Sequence, residues 1–432
     1  MSTEELYKIF QKHPVVCTDS RSIAKGGIFF ALKGEHFNGN TFAASALQQG
    51  AAYAIVDEAA FARGERCVLV QNALHALQQL AQHHRRQLNI PFIAVTGSNG
   101  KTTTKELIRN VLSKKYRTHA TKGNLNNHIG VPLTILSIES KVEMALIEMG
   151  ANHEQEINLL CELAEPDFGI ITNVGKAHLE GFGGIEGVKK GKGELYDFLA
   201  KSDGTVFLNA NDAVLVEMAN ERRLGKRITY GTSHECKCRG HLQTAMPFVK
   251  IRWEYGEVQS ETNSRLIGSY NFENILAAIC IGNYFGVDES LINDAVEEYV
   301  PDNSRSEIVR KGSNTIILDA YNANPSSVAA ALKYFNELEA KYKVIFLGEM
   351  AELGTDSEKE HAAIIELLRQ MKLNELILVG NNFSRFTDQL SCHYFTNSSE
   401  ASGWAKAQRF DEATILIKGS RNVKMEKVME GL

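Results

Sequence analysis

Long apolar runs are missing from this chain of 432 residues. No stretch approaches the roughly 20 apolar residues that a membrane-spanning helix needs. The start, Met1-Ser2-Thr3-Glu4-Glu5, has neither the basic flank nor the apolar segment of a secretory signal, so a cytoplasmic location is expected. An excess of one charge is also lacking, with 47 Lys and Arg set against 52 Asp and Glu for a net charge of -5. These charges are interspersed without a long basic run, so the electrostatic footprint of a nucleic-acid partner is absent. Cysteine is sparse: seven residues, Cys17, Cys67, Cys161, Cys236, Cys238, Cys280 and Cys392, an odd and scattered set that fits reduced thiols better than a disulfide framework. The pair Cys236-x-Cys238 lacks the second half of a zinc site. What is left, 44% hydrophobic and 23% charged residues, suits a globular enzyme, and the length requires two or three domains.

The densest signal lies at residues 91–105, Pro-Phe-Ile-Ala-Val-Thr-Gly-Ser-Asn-Gly-Lys-Thr-Thr-Thr-Lys. An apolar strand breaks at glycine, turns tightly and opens a helix at Gly100-Lys101-Thr102. Backbone N–H groups of Gly97, Ser98, Asn99, Gly100, Lys101, Thr102 and Thr103, with the positive helix end, are expected to hold ATP phosphates. The Lys101 ammonium offsets charge, and the Thr102 hydroxyl is expected to reach a magnesium ion. The full P-loop pattern has a further glycine upstream, where this chain has Val95-Thr96, so only the shorter Gly-x-x-Gly-Lys-Thr core is present. Leu107, Ile108, Val111 and Leu112 on one face of the following helix supply the expected context.

Strands alternate with helices along most of the chain, which predicts α/β architecture with parallel sheets. Three domains are expected: a small α/β domain at 1–84, a central P-loop domain at 85–301 and a Rossmann-like domain at 302–432. The last lacks a dinucleotide glycine fingerprint. Pro301-Asp302-Asn303-Ser304 reads as a hinge, and 248–268 alternates as an antiparallel hairpin does.

Catalytic groups are expected at the ends of the central strands. Glu148 closes the apolar strand Ala145-Leu146-Ile147, where it serves either as a magnesium ligand or as a solvated strand-end acid. His178 follows another strand by a short loop, and spacing alone favours a cap or core histidine over a ligand, because magnesium prefers oxygen. Lys192 shares a helix face with Ile185, Val188, Leu195, Tyr196 and Leu199. It either snorkels to water or is desolvated into a neutral amine able to take up carbon dioxide.

These motifs together resemble the Mur ligases of peptidoglycan synthesis over nearly the whole chain. The carriers are Gly100-Lys101-Thr102, Glu148-Met149-Gly150-Ala151, His178-Leu179-Glu180-Gly181-Phe182-Gly183, Gly191-Lys192-Gly193-Glu194 and the loop Gly123-Asn124-Leu125-Asn126-Asn127-His128. The resemblance implies ATP, two magnesium ions held by Thr102, Glu148, His178 and a carbamylated Lys192, and catalysis by Lys101, Glu148, His178, Lys192 and Arg305. It implies adenine contacts from Asn271 and Asn274, and closure over ATP by Arg305 and Asp319. Substrate contacts are implied for Asn124, Asn126 and Asn127. In the N-terminal domain, Asp19, Ser20, Arg21, Lys33 and Asn38 are implied to hold a UDP substrate. The fullest match within the family is to the ligases that add D-alanyl-D-alanine to UDP-N-acetylmuramoyl-tripeptide through an acyl phosphate, acting as monomers. The Asp-Asn-Pro-Arg run of sister ligases that add diaminopimelate is not in the sequence. A nucleotide switch without ligase activity is the alternative from another class. Such a switch gives no reason for a lysine on the apolar face at 192.

Overall fold

A computed structural model describes residues 1–302 and 304–432. Asn303, inside the expected hinge, lies outside the described residues. Among the described residues the main sheets have four, nine and six strands.

The N-terminal sheet is parallel, in the order Val16–Cys17, Ile28–Phe30, Tyr53–Val56, Cys67–Leu69. Phe29 and Phe30 point to opposite faces and both are buried, as continuous apolar strands covered on both sides require. The Asn72 side chain caps helix Ala73–Gln87, which leads into the central domain. The last turn of this helix, with His84, Arg85 and Arg86, forms a clasp. Arg85 is buried, donates to the carbonyls of Ala164, Leu88 and Glu165 at 2.7, 3.1 and 2.8 Å, and lies 3.8 Å above the Phe92 ring.

In the central sheet the P-loop strand Phe92–Thr96 runs between Phe168–Ile171 and Met144–Glu148, parallel to both. The carboxyl ends of these three strands therefore converge, which is where open α/β sheets form their crevice. The sheet continues outward through Thr205–Asn209, Lys226–Gly231 and Cys238–Thr244 to the hairpin Lys250–Tyr255 and Val258–Asn263, which matches the alternation seen at 248–268. Phe92 to Val95 bury apolar side chains on both faces of the P-loop strand, and each buried Phe, Ile or Val there stabilises the fold by about 1.5–3 kcal/mol.

The third sheet is parallel except for its edge pair Glu307–Lys311 and Asn314–Asp319. Asp319 lies in register with Lys418 on the neighbouring strand, so the two strands end as an ion pair. Helix Pro325–Glu337 follows, started by an Asn324/Ser327 capping box with proline in its first turn. Among the described residues no helix is long and apolar enough to cross a membrane.

Candidate active site

Two glycines shape the P-loop. Gly97 has φ +139°, and a Cβ there would meet Thr172 Oγ1 at 2.0 Å; Gly100 has φ +78°, and a Cβ there would meet Asn274 Oδ1 at 2.7 Å. The loop is then braced from the adjacent strand. Thr172 Oγ1 and Asn173 Nδ2 donate to the Asn99 carbonyl at 2.6 and 3.0 Å, and Ser98 Oγ bonds with both backbone groups of Gly175. This bracing corrects one expectation. The Ser98 and Asn99 N–H groups are committed to the Asn173 backbone and side chain. The free donors are those of the first turn of helix Lys101–Ser113, which has no side-chain cap.

Lys101 bends back to the Gly97 and Ser98 carbonyls at 2.6 and 3.3 Å. Its desolvation lowers the ammonium pKa to about 8, with Glu148 opposing the shift and Arg305 adding to it. Thr102 Oγ1 and Glu148 Oε2 are buried without a hydrogen-bond partner among the described residues. Orphaned oxygens of this kind are costly unless a ligand meets them. One hydroxyl and one carboxylate oxygen suit a hard divalent cation, so the residues present fit magnesium. Glu148 is otherwise fixed: Asn126 Nδ2 donates to Oε1 at 2.9 Å, and its own N–H donates to Thr121 Oγ1 at 3.0 Å. The Lys105 ammonium stands 3.6 Å from Oε2.

The helix carrying Lys192, Ile185–Lys201, buries Val188, Lys192, Leu195, Tyr196 and Leu199 on one face, as the spacing predicts. Ile185 departs from the face and is 41% exposed, because it sits in the first turn before the helix enters the core. Lys192 Nζ donates to Ala151 O at 3.2 Å and lies 5.2 Å from the Phe182 ring centroid. Burial holds its pKa well below the usual lysine value, and nearby Lys101 pushes the same way. Lys192 does not line the cleft directly; the cleft wall in front of it is Ala151.

The C-terminal domain forms the roof. Asn324 Nδ2 donates to Asn99 Oδ1 at 2.8 Å, and the Lys176 N–H donates to Ser326 Oγ at 3.2 Å. Arg305 stacks 3.7 Å over Tyr321 with its Nε unpartnered among the described residues. Asp319 accepts from Lys418 Nζ at 2.6 Å and from the Ser306 N–H at 3.2 Å. His178, in the left-handed region at φ +53°, faces this roof with Nδ1 against the Glu352 carboxylate. That contact holds the Glu352 carboxyl below its usual range.

The resulting cleft of about 870 Å³ brings together Ser98, Asn99, Gly100, Lys101, Thr103, Asn124, Asn126, Asn127, Glu148, His178, Asn271, Asn274, Arg305 and Asp319. Asn271 and Asn274 are coupled, Nδ2 of the second donating to Oδ1 of the first at 2.8 Å, and Thr104 Oγ1 donates to Asn274 Oδ1. Asn127 also caps a turn, its Oδ1 accepting from the N–H groups of Ile129 and Gly130.

Five N-terminal residues stay outside the cleft lining. Asp19 and Arg21 pair with each other on an exposed turn beside Ser20, and the Arg21 side chain is 88% exposed. Lys33 bridges Asp57 and Glu58 at 3.0 Å each, and Asn38 donates to Glu58. Sequence reasoning missed Asn173, Tyr321, Asn324, Ser326 and Glu352. Asn324-Pro325-Ser326-Ser327 carried a legible helix-start signal; Glu352 carried none.

A phosphate-type loop at the crevice of a parallel sheet, roofed by a second parallel-sheet domain, defines an α/β enzyme that works on nucleotides. Comparison with known proteins narrows this. Residues 95–282 match the Mur ligase middle domain, 304–421 the glutamate ligase domain of Mur ligases, and 14–85 the catalytic domain of the Mur ligase family. The chain belongs to the Mur ligase family. The UDP-N-acetylmuramoyl-tripeptide--D-alanyl-D-alanine ligase of Bacillus subtilis is 33% identical over 428 residues, covering 96% of this chain and 92% of that protein. Its counterpart from Haemophilus influenzae is 31% identical, covering 100% and 98%. Among solved structures, MurF from Acinetobacter baumannii superposes with a TM-score of 0.88 at 28% identity, covering 99% and 97% of the two chains. MurF ligase from Thermotoga maritima in complex with ADP shares the fold, with a TM-score of 0.85 at 24% identity over 97% of each chain.

Proposed function

We infer that this protein is an ATP-dependent, ADP-forming amide ligase that adds D-alanyl-D-alanine to UDP-N-acetylmuramoyl-tripeptide, giving a pentapeptide precursor of the cell wall. The observation that carries this reading is the cleft itself, lined by Lys101, Glu148 and Arg305 under the C-terminal roof, with a buried unpartnered oxygen on Glu148 and another on Thr102 in the adjoining first turn of the helix.

A peptide carboxylate is a poor electrophile. Transfer of the ATP γ-phosphoryl group to a carboxylate oxygen breaks the bond to ADP and forms an acyl phosphate. The acceptor amine then attacks the acyl carbon, the C–N bond forms, phosphate leaves and the nitrogen gives up a proton. Lys101 and Arg305 lie where positive charge offsets the transferring phosphoryl group. Thr102 and Glu148 would hold one magnesium ion, and His178 with a carbamylated Lys192 a second. When bound, the ions supply Lewis-acid stabilisation of the phosphoryl charge. Carbamylation joins the neutral Lys192 amine to carbon dioxide, forming an N–C bond and releasing one proton, so a neutral side chain becomes an anion. Asn271 and Asn274 take the adenine side, and the uncapped first turn of the helix, Lys101 to Thr103, with the P-loop glycines takes the phosphates. Asn124, Asn126 and Asn127 take the peptide, and Asp19, Ser20, Arg21, Lys33 and Asn38 the UDP end. The contacts of Asn324 and Ser326 with the P-loop side support a closing roof that excludes water from the acyl phosphate. Domain limits of 1–84, 85–301 and 302–432, a cytoplasmic location and a monomer complete the reading.

The test is ATP-dependent phosphate release with UDP-N-acetylmuramoyl-tripeptide, with and without D-alanyl-D-alanine, followed by mass spectrometry. A product mass equal to the joined substrates supports the reading. Phosphate release indifferent to the acceptor contradicts it and favours a nucleotide switch.

A further inference from the structure

The loop after strand Tyr342–Gly348 reaches across from the C-terminal domain to the loop that ends in His178. Four contacts fasten the two loops and the helices that follow them. The Glu352 carboxylate meets His178 Nδ1, and the Glu180 N–H donates to the Glu352 carbonyl at 3.2 Å. Lys176 Nζ pairs with Glu360 at 2.6 Å, and Gly354, at φ +52°, packs so closely on Glu180 that a Cβ would come within 3.2 Å. The Glu352 loop is also held within its own domain. The Met350 N–H donates to the buried His361 Nε2 at 3.1 Å, and the Ala351 N–H donates to Ser420 Oγ at 2.8 Å. Glu352 itself adopts the left-handed conformation, φ +60°, which a non-glycine residue keeps only when its surroundings impose it.

A neutral imidazole has one donor nitrogen and one acceptor nitrogen, and a carboxylate can only accept. His178 Nδ1 makes no in-line hydrogen bond among the described residues, but the negative charge standing against it favours the tautomer protonated there and leaves the lone pair on Nε2. Metal-binding histidines are oriented in the same way by a carboxylate on their second nitrogen. We propose that Glu352 is a positioning residue for the second cation site: the C-terminal domain, on closing, fixes the ring and tautomer of His178 so that Nε2 can bind the ion. The site on the central domain is complete only when the roof is in place, which ties domain closure to metal loading. The proposal rests on the reading of His178 as a magnesium ligand.

The experiment is a manganese titration of the full-length protein with a non-hydrolysable ATP analogue, free Mn2+ being followed by electron paramagnetic resonance. The wild type is expected to bind two ions. Glu352→Ala is expected to keep the first at unchanged affinity, which also reports an intact fold, and to weaken the second by about 10–100-fold. Glu352→Gln, whose amide oxygen still accepts from Nδ1–H, is expected to restore most of that loss. Two ions bound normally by Glu352→Ala would overturn the proposal. So would loss of both ions, which marks a purely structural role, or failure of Glu352→Gln to recover the second. A wild type that binds one ion would instead overturn the reading of His178, and this proposal with it.

Discussion

Lys105 and Lys192 are buried almost equally, at 0% and 1% exposure, within one domain, yet their surroundings are opposite. Lys105 Nζ donates to Thr121 O at 2.6 Å, stands 3.0 Å from Glu106 and faces the buried Glu148. It is a cation in a cage of acceptors, and its charge balances the carboxylate assigned to a metal. Lys192 has one carbonyl at 3.2 Å, an aromatic ring and, among the described residues, no carboxylate within ion-pair distance. Burial without a counter-charge favours the neutral amine. The comparison teaches that depth alone does not make a lysine reactive. The partners decide whether desolvation is resisted or allowed to act.

Exchanging these environments has consequences of different kinds. Lys105→Met strands Glu148 and Glu106 beside an apolar side chain, and loss of one partner of a buried pair costs about 3–5 kcal/mol. Urea unfolding is expected to show that loss. Lys192→Ala is expected to lower turnover on the order of 100-fold, about 2.7 kcal/mol in the barrier, with partial recovery by formate or acetate standing in for the carbamate. Full activity of the alanine variant would break the comparison. In stability, Lys192→Met is expected to be at least neutral and up to about 1–4 kcal/mol favourable, since it removes a poorly compensated buried amine.

The pH dependence sharpens the contrast. The folded pKa of Lys192 lies below its unfolded value, so between the two values the unfolded chain binds the extra proton and stability rises with pH. Below the folded value the penalty is present in full. The stability gap between Lys192→Met and wild type, measured in carbonate-free buffer, is therefore expected to narrow as pH rises toward 10. Lys101 acts with the same sign between about 8 and the usual lysine value of 10.5, and is common to both proteins. The smallest effect is expected at Arg21→Ala, where an exposed, solvent-screened pair with Asp19 contributes little to stability. A larger loss in urea unfolding would mean that the turn is structurally engaged.

Much of this site was legible because local pattern and function coincide. Phe92 to Val95 form an apolar run closed by Gly97, and only glycine fits beside Thr172; that makes strand and loop visible in one line of sequence. The helical period placed Lys192 among apolar residues, and those neighbours are what desolvate it. Two strands in the outer half of the central sheet were harder. Lys226–Gly231 and Cys238–Thr244 carry polar residues on the face toward water, so their apolar signal is diluted. Glu352 and Asn324 were invisible as site residues because their partners, His178 and Asn99, are distant in sequence and chosen by domain packing. The commitment of the Ser98 and Asn99 N–H groups was likewise hidden, since the acceptor Asn173 comes from another strand.

The central claim is that Lys192, and not the equally buried Lys105, is the reactive amine. It is tested most directly by 13C NMR of the full-length protein equilibrated with 13C-labelled bicarbonate. A carbamate signal in the wild type that disappears in Lys192→Ala and persists in Lys105→Met is the expected result. No signal in the wild type, or one that survives Lys192→Ala, would contradict the account.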